Sequence, residues 1–542
     1  MRSLSSWRYG FQLLLLGVVH ALTFAPEPLP GALLPYIEIV ALACLAGYVF
    51  KARTVGAAAW SGFLFGLGQF TVGLYWIYIS LNSFGGLAAP LSAGAVLILA
   101  AGLALYTTLA AALNRWLCGP LARNASSFAA AILTAAVWAS CWAVTEWLRG
   151  TLFTGFPWLN AGYAHVDGPL SGWAPILGVY GTAWLAAFTA GAIALLALSR
   201  RSAAEGPAAA AVAVAIVLAL AGAGLSGLKW SRPIGDPILV RLVQGNIPQS
   251  EKFDPQLMQR GMNTYAHLAA LPPKQAGADP QLIVLPETVM PLFQDRYPEL
   301  LWRQWQAIAR ERHATLLMGV PLHSEGVGGP RYTNSAIAFS GDTPVGSILT
   351  GTLAMRYDKH HLVPFGEFIP LGFHWFVDAL NIPLGDFNRG AVRQKHFLLN
   401  GQVVAPNICY EDVFGEEIAR SVADSAQEGP GATILVNQSN LAWFGNSWAL
   451  RQHLQISRMR ALETARPMLR ATNTGMTAAI AADGAVRAQL PPQTPGVLDV
   501  EVQGMQGLTP YVHWRNWPVI GLCLLLLAGG WLRRPKPASG GQ

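Results

Sequence analysis

Long apolar stretches alternate with short polar segments over the first 230 residues and return near the C-terminal end. A helix needs about 20 apolar residues to cross the hydrocarbon core of a bilayer, and most of these stretches approach that length. The pattern predicts eight transmembrane helices, seven in a bundle formed by residues 1–230 and one in the C-terminal segment 513–542. Their predicted ranges are 9–25, 33–50, 56–80, 89–113, 128–147, 172–198, 207–228 and 515–532.

Residues 231–512 follow a different pattern, in which short apolar runs end at polar, glycine or proline residues. Such runs are typical of buried strands, and longer stretches between them have helical spacing. Strands that alternate with helices predict a layered α/β domain. The predicted strands are 238–244, 282–285, 315–320, 335–339, 403–408 and 433–436, and the predicted helices are 297–312, 413–426 and 448–465.

The composition agrees with a membrane protein that carries one soluble domain. Of 542 residues, 53% are hydrophobic and 12% are charged, and the mean hydropathy is +0.36. Typical soluble proteins contain about 25% charged residues. The net charge of +7 suggests nucleic-acid binding at first sight. However, the 22 basic and 24 acidic residues of segment 231–512 nearly cancel, so the excess belongs to the apolar segments and no nucleic-acid partner is expected.

Basic residues cluster on one side of the predicted bundle if successive helices alternate in direction. Because cytoplasmic loops are enriched in lysine and arginine, both termini are predicted to be cytoplasmic and segment 231–512 to lie outside the cytoplasm. The first stretch also has features of a cleaved signal peptide, but a retained helix gives the consistent topology. The clusters are Arg2 with Arg8, Lys51 with Arg53, Arg115 with Arg123, Arg200 with Arg201, and Arg533 and Arg534 with Lys536.

The segment 146–163 is rich in aromatic residues and glycine at the predicted outer membrane edge. Two interpretations remain open. The segment is an aromatic belt, or it is a platform where a lipid headgroup or acyl chain enters the soluble domain. Glu146 and Arg149 are three residues apart, a spacing that allows an ion pair on one helical face.

Three residues of the α/β domain could form an acyl-transfer site. Glu287 and Cys409 each follow a predicted strand, where open α/β sheets place active sites, and Cys409 is the only cysteine of segment 231–512. Lys359 lies between them in the sequence. A thiolate can act as nucleophile, a carboxylate as base and an ammonium as the group that holds an oxyanion. Each residue also has an ordinary explanation: a turn glutamate, a solvated lysine and a buried small apolar side chain.

Other function classes remain open from the residues alone. A membrane-tethered amidase or other hydrolase would use the same three residues with water as acceptor. A transporter or sensor would also fit the topology, but transporters place ionisable residues inside their spans, whereas Glu38 and Glu146 lie near the predicted outer ends. The adjacent His360 and His361 have no second ligand pair nearby, so no metal and no cofactor is predicted.

The order Glu287, Lys359, Cys409 resembles the Glu-Lys-Cys triad of the nitrilase superfamily. Nearly end to end, the chain resembles the apolipoprotein N-acyltransferase family, which joins an α-β-β-α nitrilase-like domain to an eight-helix membrane bundle. The matching segments are Trp76-Ile-Tyr-Ile-Ser80, Glu146-Trp-Leu-Arg149, Gly155-Phe-Pro-Trp158, Gln244-Gly-Asn-Ile-Pro-Gln249, Leu285-Pro-Glu-Thr288, His361-Leu-Val-Pro-Phe-Gly-Glu-Phe368, Ile408-Cys-Tyr-Glu411, Ala442-Trp-Phe-Gly445 and Arg458-Met-Arg-Ala-Leu-Glu463.

The resemblance implies roles for individual residues. Glu287 would be the general base, Lys359 the oxyanion stabiliser and Cys409 the nucleophile. The supporting residues would be Glu367, Tyr410, Glu411 and Asn334.

Aromatic residues are expected where substrate or lipid enters, namely Phe253, Trp375, Trp443 and Phe444. The chain departs from the family at two positions, one of them in this set. Leu441 stands where the family usually has aspartate, and Phe253 stands where it commonly has tryptophan. These departures concern the positioning of substrate and not the reaction.

The resemblance also implies the reaction and its location. A phospholipid would donate an acyl chain to the cysteine as a thioester, and the free α-amino group of a diacylglyceryl-cysteine apolipoprotein would accept it. The enzyme would be a monomer of the bacterial inner membrane, surrounded by membrane lipids, with its catalytic domain in the periplasm.

Overall fold

The computed structural model describes residues 2–24, 29–119, 127–200, 202–273, 279–326, 329–369, 386–426 and 429–534. The chain divides into two compact units. The first, called the helical unit, comprises Met1–Tyr75, Ala93–Leu228 and Trp514–Gln542. The second, called the sandwich unit, comprises Trp76–Ser92 and Lys229–His513.

The helical unit is built from long apolar helices. Within the described residues, six helical stretches are long and apolar enough to cross a membrane: Gly31–Lys51, Val55–Gly73, Ala89–Cys118, Phe128–Thr154, Ser171–Ser199 and Glu205–Leu225. Helices Arg2–Leu22 and Trp517–Leu532, the latter 16 residues long, lie at the first and eighth predicted spans. The membrane character is therefore confirmed with six candidate helices, whereas the count of eight spans remains a proposal.

Close packing of small residues joins helices of this unit. A Cβ atom on Gly17, in helix Arg2–Leu22, would lie 2.0 Å from the carbonyl oxygen of Phe65 in helix Val55–Gly73, so only glycine fits there. The hydroxyl of Thr107 donates to the Gly62 carbonyl at 2.8 Å and joins a third helix. Small residues let helix backbones approach closely in this way in membrane bundles.

The third predicted span, 56–80, is too long at its C-terminal end. Helix Val55–Gly73 ends seven residues earlier, and the short helices Trp76–Ile79 and Ser80–Phe84 belong to the sandwich unit. The indole N–H of Trp76 donates to Oε1 of Gln452 at 3.1 Å. Hydropathy could not separate the two parts, because the segment that leaves the helical unit is as apolar as the segment that stays.

Two six-stranded sheets form the centre of the sandwich unit. The first sheet has the order β13-β2-β3-β4-β5-β6 and the second β12-β11-β10-β9-β8-β7, and a short β1-β14 ribbon lies apart. The strands are β1 Arg232–Pro233, β2 Ile238–Gln244, β3 Leu282–Val284, β4 Thr315–Gly326, β5 Gly329–Phe339, β6 Arg356–Asp358, β7 Phe397–Leu399, β8 Gln402–Ile408, β9 Ile434–Ser439, β10 Met468–Thr472, β11 Ala478–Ile480, β12 Val486–Gln489, β13 Gly496–Val502 and β14 Met505–Gln506.

The two sheets pack face to face and are covered by helices on their outer faces. Val240 and Leu242 of β2 share an apolar core with Val404 of β8 and Ile434 of β9. Helices Met258–Ala270 and Glu299–Glu311 cover the first sheet, and Gly415–Val422 and Trp448–Thr464 cover the second. The result is a layered α/β domain with two central sheets, as predicted from the sequence.

Each predicted strand corresponds to an observed one, because apolar runs mark strands that lie inside the sandwich. Strands β4 and β5 extend beyond their predicted ends because they form a hairpin whose outer part is polar, with Pro321 opposite Asn334. Parallel pairing of β2 with β3 and of β8 with β9 brings the C-terminal ends of these strands to common edges. Glu287 and Cys409 follow two of these ends.

Candidate active site

Glu287 lies in the turn after β3, against the backbone of the neighbouring strand. Gly319 of β4 donates its N–H to Pro286 O at 3.1 Å and accepts from the N–H of Val289 at 2.8 Å. A Cβ atom on Gly319 would lie 2.6 Å from the Cα of Glu287. The turn therefore approaches β4 so closely that a larger residue at position 319 would displace the glutamate.

The carboxylate of Glu287 accepts three hydrogen bonds, although the side chain is buried. Its Oε1 accepts from Nδ2 of Asn334 at 2.8 Å and from Nζ of Lys359 at 3.3 Å. Its Oε2 accepts from the main-chain N–H of Asn440 at 2.9 Å. Three donors from three different segments fix the direction of this carboxylate.

Lys359 is a buried ammonium held between two carboxylates. Its Nζ lies 2.9 Å from Oε1 of Glu367 and 3.3 Å from Oε1 of Glu287. Burial alone would lower the pKa of Lys359, but Glu287 and Glu367 outweigh burial and raise the pKa well above its usual value. The lysine therefore stays charged at any physiological pH.

Asn334 and Glu367 support this pair. The amide nitrogen Nδ2 of Asn334 donates to Oε1 of Glu367 at 2.6 Å in addition to Glu287, and its main-chain carbonyl accepts from the Lys359 N–H at 2.8 Å. Oε2 of Glu367 accepts from the N–H of Val363 at 2.8 Å. Both residues predicted as supporting thus contact the lysine or its carboxylate partners.

Cys409 lies where β8 ends and a 3₁₀ turn, Cys409–Val413, begins. Its φ of 52° is in the left-handed region, which is strained for a residue other than glycine and is frequent at functional sites. Its carbonyl accepts from Nδ2 of Asn437 at 3.2 Å and lies 3.1 Å from Nε2 of His453. Two side chains therefore hold the strained peptide in place.

The thiol of Cys409 is electrostatically coupled to the other two residues. Burial and the charge of Glu287 raise the pKa of Cys409 well above its usual value, and Lys359 acts in the opposite direction. The resting side chain is consequently a neutral thiol. A base is needed to generate the thiolate that can act as a nucleophile.

Two profiles of known families match this chain. That of the apolipoprotein N-acyltransferase N-terminal domain matches residues 16–192, and that of the carbon-nitrogen hydrolase matches residues 239–511. An apolipoprotein N-acyltransferase of Bordetella bronchiseptica is 53% identical over 537 residues, which cover 98% of this chain and 98% of that protein. The chain belongs to the apolipoprotein N-acyltransferase family. The family predicted from the sequence is therefore confirmed.

Other relatives agree at lower identity. The apolipoprotein N-acyltransferase of Ralstonia nicotianae is 47% identical, over 97% of this chain and 93% of that protein. Among solved structures, an amidase of Nesterenkonia AN1 from the nitrilase superfamily is 17% identical, with a TM-score of 0.37, and covers 53% of this chain and 97% of that chain.

In this member of the family, Glu411 connects the turn that carries Cys409 to the segment that carries Lys359. The carboxylate is buried, and burial raises the pKa of Glu411 to about 7. Its Oε2 accepts from the N–H of Ile408 at 2.7 Å. Its Oε1 accepts from the Tyr357 hydroxyl at 2.8 Å, the His360 N–H at 2.7 Å and the His361 N–H at 3.1 Å.

Tyr410 packs beside this connection. Its ring makes edge contacts with His361 at 5.9 Å and with Phe414 at 5.3 Å between centroids. The imidazole of His361 lies 3.0 Å from Glu417, and His360 contacts the Gly390 carbonyl at 2.9 Å. The two histidines therefore point to different partners.

Three of the four aromatic residues expected at the entrance lie among the described residues, and these three lie close together. The ring centroids of Phe253 and Trp443 are 6.5 Å apart, and Phe84 lies 6.0 Å from Trp443. Trp76 makes an edge contact with Phe444 at 4.5 Å. Trp375, the fourth predicted entrance residue, lies outside the described residues.

The sequence analysis missed three polar residues of the site. Asn440 donates to Glu287, Gln249 accepts from Nδ2 of Asn440 at 3.0 Å, and Lys252 donates from Nζ to the Glu287 carbonyl at 3.1 Å. Each of the three could have been suspected from its place in the sequence. Gln249 ends a segment that matches the family. Asn440 directly precedes Leu441, and Lys252 directly precedes Phe253, the two positions where the chain departs from the family.

In the helical unit, Glu146 and Arg149 form the predicted pair at 3.5 Å and fix the following loop. Arg149 Nη1 donates to the carbonyls of Phe156 at 2.6 Å and Trp158 at 2.5 Å, and Oε1 of Glu146 accepts from the N–H of Ala161 at 3.0 Å. The pair therefore stabilises the conformation of segment 146–163.

Proposed function

We propose that this chain transfers an acyl chain from a phospholipid to the α-amino group of the diacylglyceryl-cysteine that begins an apolipoprotein. Membership of the family supports the activity. The single structural observation that carries the mechanism is the chain of contacts from Glu367 to Lys359 to Glu287, whose charges act on the strained Cys409.

In the first half-reaction, Glu287 removes the proton from the Cys409 thiol, and the thiolate attacks an ester carbonyl of the phospholipid. The ammonium of Lys359 stabilises the oxyanion of the tetrahedral intermediate. When the intermediate collapses, the alkoxide of the lysophospholipid leaves and takes the proton from Glu287. A thioester on Cys409 remains.

In the second half-reaction, the neutral α-amino group of the apolipoprotein attacks the thioester carbonyl. Glu287 accepts a proton from the attacking nitrogen and returns it to the departing thiolate, so the thiol is regenerated and an amide is formed. A thioester suits this step because it stays reactive toward amines. Glu367 and Asn334 keep Lys359 and Glu287 in position during both steps, and Glu411 and Tyr410 support the nucleophile turn.

The aromatic residues Phe253, Trp443 and Phe444 are proposed to line the path of the acyl chains, together with Trp375. Apolar side chains around a thioester also limit attack by water. Trp76 and Phe84 contact this group and extend it.

We propose the bacterial inner membrane as the location, with the sandwich unit as a periplasmic catalytic domain, eight spans, two cytoplasmic termini and a monomeric state. The distribution of basic residues and the six candidate helices support this topology. A reporter fused after Gln542 should behave as cytoplasmic, and a periplasmic signal from it would contradict the topology.

The decisive experiment traps the acyl group. The full-length protein is incubated with phospholipid alone, and an acyl adduct is sought on the Cys409 peptide by mass spectrometry. We expect the adduct on the wild type and on Cys44→Ser, whose cysteine lies in a membrane helix, and none on Cys409→Ser. Transfer that survives Cys409→Ala would contradict the proposal.

A tethered hydrolase would form the same adduct but release a free fatty acid. Adding a diacylglyceryl-cysteine peptide separates the two functions. We expect an N-acylated peptide in amounts that match the lysophospholipid released, and free fatty acid as the main product would favour the hydrolase.

A further inference from the structure

A second buried lysine lies beside Glu287. Lys252 is 3% exposed, and its Nζ donates to the main-chain carbonyl of Glu287 at 3.1 Å. Lys359 contacts the carboxylate of the same glutamate at 3.3 Å. Two ammonium groups thus contact Glu287, one at the main chain and one at the side chain. The mechanism proposed above uses only Lys359.

The position of Lys252 is fixed by its own short helix, Gln249–Lys252. Gln249, 5% exposed, accepts from Nδ2 of Asn440 at 3.0 Å, and the main-chain N–H of Asn440 donates to the Glu287 carboxylate at 2.9 Å. The helix therefore reaches Glu287 twice, directly through Lys252 and indirectly through Gln249. These contacts fix the position of the Lys252 side chain.

The two lysines differ in their charge environment. Lys359 has two carboxylates within 3.3 Å, whereas the contact of Lys252 is a neutral carbonyl. Burial lowers the pKa of Lys252 to about 7, and Glu287 and Cys409 are the groups that oppose this shift. Lys359 consequently stays charged, whereas the charge of Lys252 changes near neutral pH.

The nearest acidic group on the same helix does not compensate Lys252. Glu251 pairs with Arg260 in a partly exposed ion pair. The groups that act on Lys252 are therefore Glu287, on the turn after β3, and Cys409, at the end of β8.

We propose that Lys252 is a positioning residue for the acyl transfer, which holds the Glu287 turn through its hydrogen bond to the Glu287 carbonyl and which, in its ammonium form, favours the Cys409 thiolate. A positive charge near an acid favours the ionised state of that acid. Lys252 exchanges no proton with the substrates and acts through Glu287 and Cys409. The inference rests on the roles proposed above for these two residues.

The test measures the thiolate directly instead of the complete reaction. The full-length protein is alkylated with iodoacetamide between pH 6 and pH 10, and the modification of the Cys409 peptide is quantified by mass spectrometry. The variants are Lys252→Met, which keeps the stem without the charge, and Lys252→Arg, which keeps the charge at every pH. Lys395→Met, at an exposed position, is the matched control.

Below pH 7, where Lys252 carries its charge, we expect the Cys409 thiol of Lys252→Met to be alkylated about tenfold more slowly than that of the wild type, which corresponds to about one unit in the pKa of the thiol. Above pH 8, where the wild-type lysine is neutral, Lys252→Met should match the wild type and Lys252→Arg should be alkylated faster. Lys395→Met should match the wild type at every pH. Equal rates for Lys252→Met and the wild type below pH 7 would overturn the inference, and so would an equal loss of rate in both Lys252 variants, because that result indicates packing alone.

If Lys252→Met does not yield folded protein, the arginine variant decides. Above pH 8 the wild type loses the charge and Lys252→Arg retains it, so equal alkylation rates of these two proteins in that range would refute the inference. Failure of the proposed function is distinguishable, because it would appear as acyl transfer by Cys409→Ala and not as a change in alkylation.

Discussion

Glu411 joins the two segments that carry the proposed nucleophile and oxyanion stabiliser, and Glu411→Gln tests that connection with little change in volume. One carboxylate oxygen accepts from the main-chain N–H of Ile408, which directly precedes Cys409. The other accepts from the N–H groups of His360 and His361, which directly follow Lys359. Glutamine retains one acceptor oxygen and replaces the other with an NH₂ group.

The magnitude follows from these contacts. If the glutamine oxygen keeps the three bonds now made by Oε1, its NH₂ group faces the Ile408 N–H, and two donors meet. A lost hydrogen bond to a charged group, with a buried donor left unpaired, costs about 2–3 kcal/mol. If this cost appears in the transition state, because the Ile408 peptide positions Cys409, kcat falls about 30- to 150-fold.

The assay compares initial rates of peptide N-acylation by full-length variants at saturating phospholipid. Glu417→Gln is the control, since Glu417 contacts the side chain of His361 from a partly exposed position. We expect this control to stay within about threefold of the wild type. A Glu411→Gln enzyme with wild-type kcat and wild-type thermal stability would refute the reasoning.

Three other results are expected. Asn334→Ala removes a donor shared by two carboxylates and should lower kcat about 100-fold with little change in the KM for phospholipid, measured by the same assay; a change confined to KM would contradict this role. Burial raises the pKa of Glu411 to about 7 and of Asp412 to about 6, above their ordinary 4.5 and 3.8. Their protonated forms therefore add stability at pH 4 that is lost as the pH rises through 6 to 7, so thermal unfolding scans of Glu411→Gln should vary less over this range than those of the wild type. Trp76→Ala removes an aromatic contact with Phe444, and it should raise the KM for long-chain phospholipids more than for short-chain analogues in the acylation assay; an equal effect on both would argue against acyl-chain contact.

The sequence predicted the elements that local pattern controls. Apolar runs located the buried strands, and strand ends located Glu287 and Cys409, because α/β sheets place active-site residues just after the C-terminal ends of strands. Glu287 follows β3 of the first sheet, and Cys409 follows β8 of the second. The lysine between them could be recognised only by resemblance. Its segment, after β6, has little regular structure, and its contacts join residues 72 and 8 positions away.

The remaining part of the site depends on distant pairing that no local pattern encodes. Nothing in the sequence distinguishes the buried Lys252 from an exposed lysine, since its burial results from β3, β9 and its own helix coming together. The third span shows the same limit for hydropathy. Residues 76–80 fall in the predicted third span because they are apolar and aromatic, yet Trp76 packs on Phe444 of the Leu441–Phe444 turn.

Trp76–Ser92 is separated in sequence from the rest of its compact unit, which begins at Lys229. This separation has a practical consequence for dissecting the protein. A gene fragment encoding only residues 229–513 would not contain the whole sandwich unit, because it would lack Trp76, which contacts Phe444 and Gln452. An inactive fragment of that kind would therefore not prove that the bilayer is required for the chemistry. A fair dissection would tether residues 76–92 to the fragment, and the same applies to any exchange of domains between relatives.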